Sequence, residues 1–136
     1  MEMKDYFNSK DTFLHLIGGR YTQIEKGKAT VEAEIKEEHI THFGRDHAHA
    51  GYLFTLAEAA SAAAVLSFGY NAYAVDSSFT ITDAVTYGKV IATAKTKDNH
   101  EEKDTKVRVR IESEDGRILA MASFVAVYTG ETFDFI

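Results

Sequence analysis

The chain has 136 residues, 45% of them hydrophobic and 26% charged, which is the composition of an ordinary globular domain and not of a disordered chain. Its formal net charge of −6 argues against a non-specific nucleic-acid binder, which normally has a basic surface. The absence of cysteine excludes disulfides, a thiolate nucleophile and cysteine-bound zinc.

The first third of the chain predicts a short helix, two strands and a polar loop. Its opening segment is charged and lacks the apolar core of a signal peptide, so we expect a cytoplasmic protein. Apolar residues at helical spacings predict a helix over about residues 3–17, ended by Gly18-Gly19. Strands are predicted over residues 20–25 and 29–35. Residues 36–50 are rich in His and Gly, which is typical of a loop.

An alanine-rich apolar helix follows the loop. Residues 51–68 contain Glu58 as their one charge and have no basic flank of the kind that sets a membrane topology. We therefore interpret this segment as a helix that the protein buries on nearly all sides, and we expect no membrane association.

Four strands are predicted after the helix, over residues 74–82, 89–97, 105–112 and 118–128, with a tight turn at Asp115-Gly116. Strands joined by short turns favour an antiparallel sheet, and a helix that is apolar on all sides needs a sheet curled around it. The sequence thus predicts one α+β domain over residues 1–136, with a long central helix wrapped by a curved antiparallel sheet. The aromatic tail, residues 131–136, is expected to pack on a neighbouring element or subunit.

Glu58 and the helix start are the two features that could carry chemistry. Burial raises the pKa of a carboxyl group, which is how enzymes obtain a base that works near neutral pH. The alternative is a carboxylate paired with the backbone or pointing into solvent. The start, His49-Ala50-Gly51, offers free N–H groups and partial positive charge, which suit a developing oxyanion. Glu58 lies about 12 Å along the helix from these groups, so a site shared between two subunits is expected.

The run from His49 to Glu58 resembles the hotdog-fold acyl-CoA thioesterases, in particular the phenylacetyl-CoA type and the Arthrobacter-type 4-hydroxybenzoyl-CoA thioesterases. Their motif is His-Gly-Gly followed, nine residues after the His, by a catalytic Asp or Glu on the central helix, and this chain has the same spacing. The resemblance implies a hotdog fold, an acyl-CoA substrate, no cofactor and no metal. It also implies a homodimer that joins its two sheets, which in the family often pairs again into a homotetramer.

The resemblance also implies roles for individual residues. Glu58 would be the nucleophile or the base for a water, and the N–H of Ala50 or Gly51 would polarise the thioester carbonyl, with His49 positioning the thioester. Apart from the resemblance, Tyr52, Phe54 and Phe79 are candidates to line an aromatic or an aliphatic acyl pocket. The remaining substrate contacts would come from polar or basic side chains, namely Ser61, Ser77 or Ser78, and Arg108.

The chain departs from the family pattern at three positions. Ala50 replaces the first Gly of the motif, which keeps the N–H and adds one methyl group. Phe43 stands where the family usually has Asn or Gln, with Thr41-His42 as the nearest polar substitute. Ala62 stands where a Ser or Thr often supports the site, and Ser61 is one place away.

Two other groups of residues allow alternative interpretations. Lys106, Arg108 and Arg110 share one strand face, which is either a solvated face or an anchor for the phosphates of coenzyme A. Four histidines within residues 39–49 are more typical of a polar surface loop than of a metal site. The leading function is an acyl-CoA thioesterase. A non-catalytic acyl-CoA-binding or regulatory protein is the alternative, and a hydratase or dehydratase ranks lowest.

Overall fold

A computed structural model describes residues 2–135 of the chain. The helices of this part are α1 (Met3–Lys10), α2 (Thr12–Leu16) and α3 (Ala50–Leu66). The strands are β1 (Arg20–Glu25), β2 (Lys28–Ile35), β3 (Ile40–Thr41), β4 (His47–Ala48), β5 (Tyr70–Ile81), β6 (Gly88–Lys95), β7 (Asp104–Ser113) and β8 (Ile118–Thr132). A short 3₁₀ turn occupies Glu37–His39.

Six of the strands form one antiparallel sheet in the order β1-β2-β6-β7-β8-β5. Helix α3 packs on one face of this sheet, where alternate strand residues are apolar and buried, as Val31, Ala92, Val107 and Phe124 are. The other face carries the intervening polar residues. This arrangement confirms the predicted α+β architecture, a long central helix wrapped by an antiparallel sheet.

Helix α3 is less completely covered than its composition suggests. One side is buried in the core through residues such as Leu53, Leu56 and Ala60. Half-buried or exposed residues recur every three or four positions along the opposite side, at Gly51, Phe54, Thr55, Glu58, Ala62 and Leu66. We call this set the open stripe of α3. The expectation of a helix buried on nearly all sides is therefore wrong for a single chain. No helix within residues 2–135 is long and apolar enough to cross a membrane.

The N-terminal segment forms two helices, not the single helix predicted over about residues 3–17. The break falls at Asp11, whose side chain accepts a hydrogen bond from the N–H of Leu14 at 3.1 Å and so caps α2. Aspartate favours this position because its short carboxylate competes with the helical backbone. The predicted helix end is confirmed, since Gly18 adopts φ +85° immediately after α2.

Helix α1 closes the outer edge of the sheet. The side-chain amide of Asn8 donates to the carbonyl of Tyr21 and accepts from its N–H, each at 2.8 Å, so the amide takes the place of a further strand beside β1. The aromatic tail packs on the same helix, with ring centroids 5.8 Å apart for both Tyr6–Phe133 and Phe7–Phe133. The predicted packing of the tail is confirmed for Phe133 and Phe135, and Ile136 lies outside the described residues.

Strand boundaries differ from the prediction where pairing is irregular. Strand β5 begins at Tyr70, four residues before the expected start, and β8 continues to Thr132. The register between these two strands shifts twice, between Tyr70 and Ala72 and between Ala74 and Asp76, which interrupts the alternation that the prediction used. The expected hairpin turn after β7 is confirmed, with Gly116 at φ +89°.

Candidate active site

The start of α3 is capped by His49. The Nδ1 atom of its ring accepts a hydrogen bond from the N–H of Gly51 at 2.8 Å. Because Nδ1 accepts this hydrogen bond, the ring nitrogen left to act as a donor is Nε2. A Cβ atom added at Gly51 would lie 2.9 Å from the ring Cε1 of His49. Glycine at this position therefore makes room for the cap.

The capping hydrogen bond decides which backbone donor is free. The first N–H groups of a helix have no partner inside the helix. The N–H of Gly51 is taken by His49, whereas the N–H of Ala50 has no partner within residues 2–135. Ala50 is also solvent-exposed. Of the two candidate oxyanion donors, Ala50 is thus the one that offers its N–H to a ligand.

His39 supports the same helix start from below. Its carbonyl accepts the N–H of His49 at 2.8 Å, and its ring stacks on Tyr52 with centroids 4.3 Å apart. Its Nδ1 accepts the N–H of Lys36 at 3.0 Å. His39 is buried, so it fixes the residues on both sides of Ala50-Gly51 and has a structural role. Sequence reasoning missed this role, because nothing local distinguishes His39 from the other histidines.

The remaining histidines of the loop do not converge on one point. His42 bonds through Nδ1 to Asp46 at 3.0 Å and through Nε2 to Glu37 at 2.9 Å. Those two carboxylates, Asp46 first, raise the pKa of His42. His47 instead bonds to the carbonyl of Arg45. Across residues 2–135, no three His, Cys, Asp or Glu side chains are grouped so that they could hold a metal ion.

Glu58 lies half-buried at the middle of the open stripe of α3. Burial raises the pKa of its carboxyl group, and the negative charge of Asp11 raises it further. No hydrogen bond or ion pair to Glu58 occurs in the described part of the chain. The alternative of a carboxylate paired with the backbone is therefore not what this structure contains. Glu58 is partly desolvated and has no partner within residues 2–135.

A hydrogen-bonded pair, Asp11 and Tyr21, interacts electrostatically with Glu58. The hydroxyl of Tyr21 donates to Asp11 Oδ2 at 2.5 Å, and Tyr21 is buried in the core. Burial first, and Asp11 second, raise the pKa of this phenol, to which Glu58 adds a smaller effect. The two acids and the phenol thus influence one another, although residues 11, 21 and 58 are far apart in the sequence.

The predicted substrate contacts divide between the two faces of the sheet. Phe54 lies on the open stripe with Glu58, and its ring is 5.5 Å from those of Phe79 and Phe124. Ser77 pairs with Phe124 and so lies on the sheet face that carries α3. Ser61 belongs to α3 itself and is buried. Ser78 and Arg108, both paired with Ser123, lie on the opposite face. The structure thus places Phe54 and Ser77 on the same side of the sheet as Glu58, and Ser78 and Arg108 on the opposite side.

Comparison with known proteins identifies the family. Residues 2–127 match the family model described as a domain of unknown function, DUF4442. The chain belongs to the DUF4442 family. A protein of Archaeoglobus fulgidus that bears the provisional name of an esterase is 30% identical over 132 residues, which cover 96% of this chain and 84% of that protein.

Solved structures of similar fold extend the comparison. The E. coli PaaI protein of the phenylacetic acid degradation operon has a TM-score of 0.85 at 20% identity, covering 98% of the DUF4442 chain and 100% of the PaaI chain. A hypothetical thioesterase from Streptococcus pneumoniae TIGR4, solved with coenzyme A, has a TM-score of 0.79 at 22% identity, covering 96% and 98% of the two chains. These likenesses confirm the hotdog fold.

The buried hydroxyl of Tyr52 gives a first stability prediction for this DUF4442 protein. It has no hydrogen-bond partner in the described structure, and burial raises the pKa of the phenol to about 12. An unsatisfied buried hydroxyl is destabilising, so Tyr52→Phe is expected to raise the free energy of unfolding by about 1 kcal/mol. Urea denaturation of both proteins measures the difference. A loss of stability would show instead that the hydroxyl is satisfied in solution.

The charge of Asp11 gives a second prediction. Asp11→Asn keeps an oxygen that can cap α2 but removes a negative charge near Glu58, so the pKa of Glu58 is expected to fall. Carbon-13 NMR titration of the side-chain carboxyls measures this pKa, with Glu58→Gln assigning the signal. Asp5→Asn removes an exposed charge from α1 and serves as the control. An unchanged or higher pKa in Asp11→Asn contradicts the prediction.

Proposed function

We propose that this protein, a single hotdog domain, is an acyl-CoA thioesterase that works as a homodimer. The observation that carries the proposal is the arrangement on α3, where the N–H of Ala50 and the carboxylate of Glu58 both lack a partner within residues 2–135 and both residues are at least partly exposed. The names of an Archaeoglobus esterase and of a pneumococcal thioesterase solved with coenzyme A support the same reaction class.

The dimer follows from two features of a single chain. Ala50 and Glu58 are eight residues apart on a straight helix, about 12 Å, which is too far for both to touch one reacting carbonyl. Strand β5 forms an edge of the sheet and exposes Tyr73, Val75 and Ile81. A long apolar edge strand favours pairing with another chain. Pairing of two β5 strands would join the sheets and bring Ala50 of one subunit near Glu58 of the other.

The proposed reaction divides the work between the subunits. The N–H of Ala50, aided by the partial positive charge of the helix start, donates a hydrogen bond to the carbonyl oxygen and stabilises the oxyanion that develops on it. Glu58 from the other subunit attacks the carbonyl carbon or removes a proton from an attacking water. The C–S bond breaks, coenzyme A leaves as a thiol, and one water is consumed as the free acid forms. The ring of His49 caps the helix start through Nδ1, which leaves its Nε2 available to position the thioester.

A non-catalytic acyl-CoA-binding protein is the second candidate function. The observation that favours it is the loop before α3, where Phe43 is 85% exposed and the side chain of His42 is held by Asp46 and Glu37. No free amide side chain therefore stands at the position of the family's Asn or Gln. Tight binding of an acyl-CoA without hydrolysis would support this candidate.

The test of the proposed reaction is thiol release from short, long and aromatic acyl-CoA substrates by the wild type. Turnover on one class supports the thioesterase and identifies its acyl preference. No turnover on any member, together with acyl-CoA binding, supports the second candidate.

The shared site has its own test, which mixes two inactive variants. Ala50→Pro removes the donor N–H, and Glu58→Gln removes the carboxylate. Random mixing makes half of the dimers mixed, each with one intact site, so the mixture should recover roughly a quarter of the wild-type activity. Each variant refolded alone is the control. No recovery on mixing contradicts a site formed between subunits.

A further inference from the structure

The sheet face opposite α3 carries an unusual row of side chains. Lys28 pairs with Lys95, and Lys95 pairs with Arg108. Arg108 pairs with Ser123, which in turn pairs with Ser78. These five residues form one continuous line across β2, β6, β7, β8 and β5, which we call the cation row. The row lies on the outer face, because Val107 and Val109, the neighbours of Arg108 in β7, are buried against the core.

At one end of the row Glu25 of β1 pairs with Lys28, whereas Lys95 and Arg108 face each other with no acidic residue between them. None of the ion pairs within residues 2–135 includes Lys28, Lys95 or Arg108, whereas Arg110 nearby is paired with Glu112 at 2.6 Å. Like charges directly opposite one another on antiparallel strands are destabilising. Three adjacent positive residues are unexpected in a chain with a net charge of −6. The repulsion would be relieved by an anion from outside the chain.

The surface around the row is concave. A groove of about 490 Å³ is lined by four cationic side chains and one acidic side chain, Glu112, together with Thr93, Val109 and Met121. A second groove, of about 240 Å³, shares Arg108 and Met121 with it and adds the hydroxyl side chains of Ser78, Thr80 and Ser123. Neighbouring strands lie about 4.8 Å apart, so the row spans about 10 Å from Lys28 to Arg108. This length accommodates two separate phosphate groups.

The chemistry of the face argues against other occupants. A second copy of the chain docked about a two-fold axis through the row would place cation row against cation row. Single-stranded nucleic acid binds through aromatic side chains on which bases stack, and no aromatic residue lines either groove. Met121, which is 51% exposed, instead offers an apolar contact of the size of one flat ring.

We propose that the cation row binds a nucleotide that carries two phosphate groups. Lys28 and Lys95 contact one phosphate, Arg108 contacts the other together with the hydroxyls of Ser123 and Ser78, and Met121 contacts the base. Arginine suits this role because its planar guanidinium donates two parallel hydrogen bonds to phosphate. The site goes beyond the proposed thioesterase activity, since it binds the nucleotide whether or not a thioester is attached. The nucleotide is either the end of an acyl-CoA or a separate small molecule.

Isothermal titration with adenosine 3′,5′-bisphosphate tests the site without any need for turnover. The wild type is expected to bind this probe, and Lys95→Gln and Arg108→Gln are each expected to weaken binding about tenfold. Lys103→Gln, which removes an exposed charge before β7, is the matched control and should bind like the wild type. No binding by the wild type, or equal binding by the two row variants, overturns the proposal. Equal affinity for inorganic phosphate overturns the assignment of two phosphates.

Two further measurements test the repulsion within the cation row and distinguish the two possible sources of the nucleotide. In phosphate-free buffer Lys95→Gln should raise the melting temperature, because it removes a facing like charge, while Lys103→Gln should not. A melting temperature that does not rise contradicts the unrelieved repulsion on which the proposal rests.

A higher KM for acyl-CoA with unchanged kcat in the row variants identifies the nucleotide as part of the substrate. An unchanged KM with lost bisphosphate binding identifies a separate nucleotide. If the protein hydrolyses no acyl-CoA, the titration still decides whether the site exists.

Discussion

Glu58→Gln is expected to lower kcat for acyl-CoA hydrolysis by roughly 10²–10⁴-fold, the range that a positioned acid or base contributes. Glutamine has nearly the same shape but neither attacks a carbonyl nor removes a proton from water. Steady-state thiol release at saturating substrate measures the loss. Activity that survives the substitution would show that the fold is right and the candidate site is wrong.

The difference in stability between Glu58→Gln and the wild type is expected to depend on pH. Measuring it distinguishes a variant that has lost its fold from one that has lost only the site. Burial raises the pKa of Glu58 in the folded chain, so the charged form is disfavoured there and not in the unfolded chain. In the wild type, the contribution of protonated Glu58 to stability is complete below the pKa that Glu58 has in the unfolded chain. This contribution is lost as the pH rises through the pKa that Glu58 has in the folded chain. Glu58→Gln does not lose this contribution. Its free energy of unfolding should exceed that of the wild type at pH 7 and lose this advantage below about pH 4.

Ala50→Pro is expected to lower kcat by roughly 10²–10³-fold, the effect of removing one oxyanion donor. Proline lacks the N–H but is well tolerated at the first position of a helix. The backbone of His49, at φ −58° and ψ 132°, already has the extended conformation that a residue before proline needs. The cap between His49 and Gly51 is therefore retained, and kinetics on the folded variant measure the contribution of the N–H.

Ala50→Gly is the matched control for this substitution. It keeps the N–H and restores the residue that the thioesterase motif has at this position, so activity should stay close to that of the wild type. If both variants lose activity equally, the methyl group or the helix start matters and the N–H does not. If neither loses activity, a different donor binds the carbonyl oxygen.

The sequence was most informative where one physical rule acts alone. The alternation of Val107, Val109 and Ile111 with charged residues predicted β7, and Asp115-Gly116 predicted its turn. Such local patterns also located α3 and its acid. The break at Asp11 was missed, because a carboxylate that caps a helix and one on a helix surface look alike in sequence.

Features of the site that depend on distant residues were beyond the sequence. The hydrogen bond from Gly51 to His49 removes one of two candidate donors, yet both N–H groups look equally free in the sequence. The influence of Asp11 on Glu58 depends on how α2 packs against α3. Lys28, Lys95 and Arg108 become neighbours only through strand register, which joins positions tens of residues apart. Strand pairing and helix packing determine which residues become neighbours in these cases, and residue type alone does not.

The two edges of the sheet are treated differently, and this limits how copies of the chain can assemble. At β1 the amide of Asn8 occupies the backbone groups of Tyr21 that a further strand would need, while β5 leaves its edge bare. A chain with one open edge can add one neighbour, after which both edges are used. In the proposed homodimer, growth through strand pairing would therefore stop at two copies, because α1 would block the remaining sheet edge of each chain and so prevent extension into fibres.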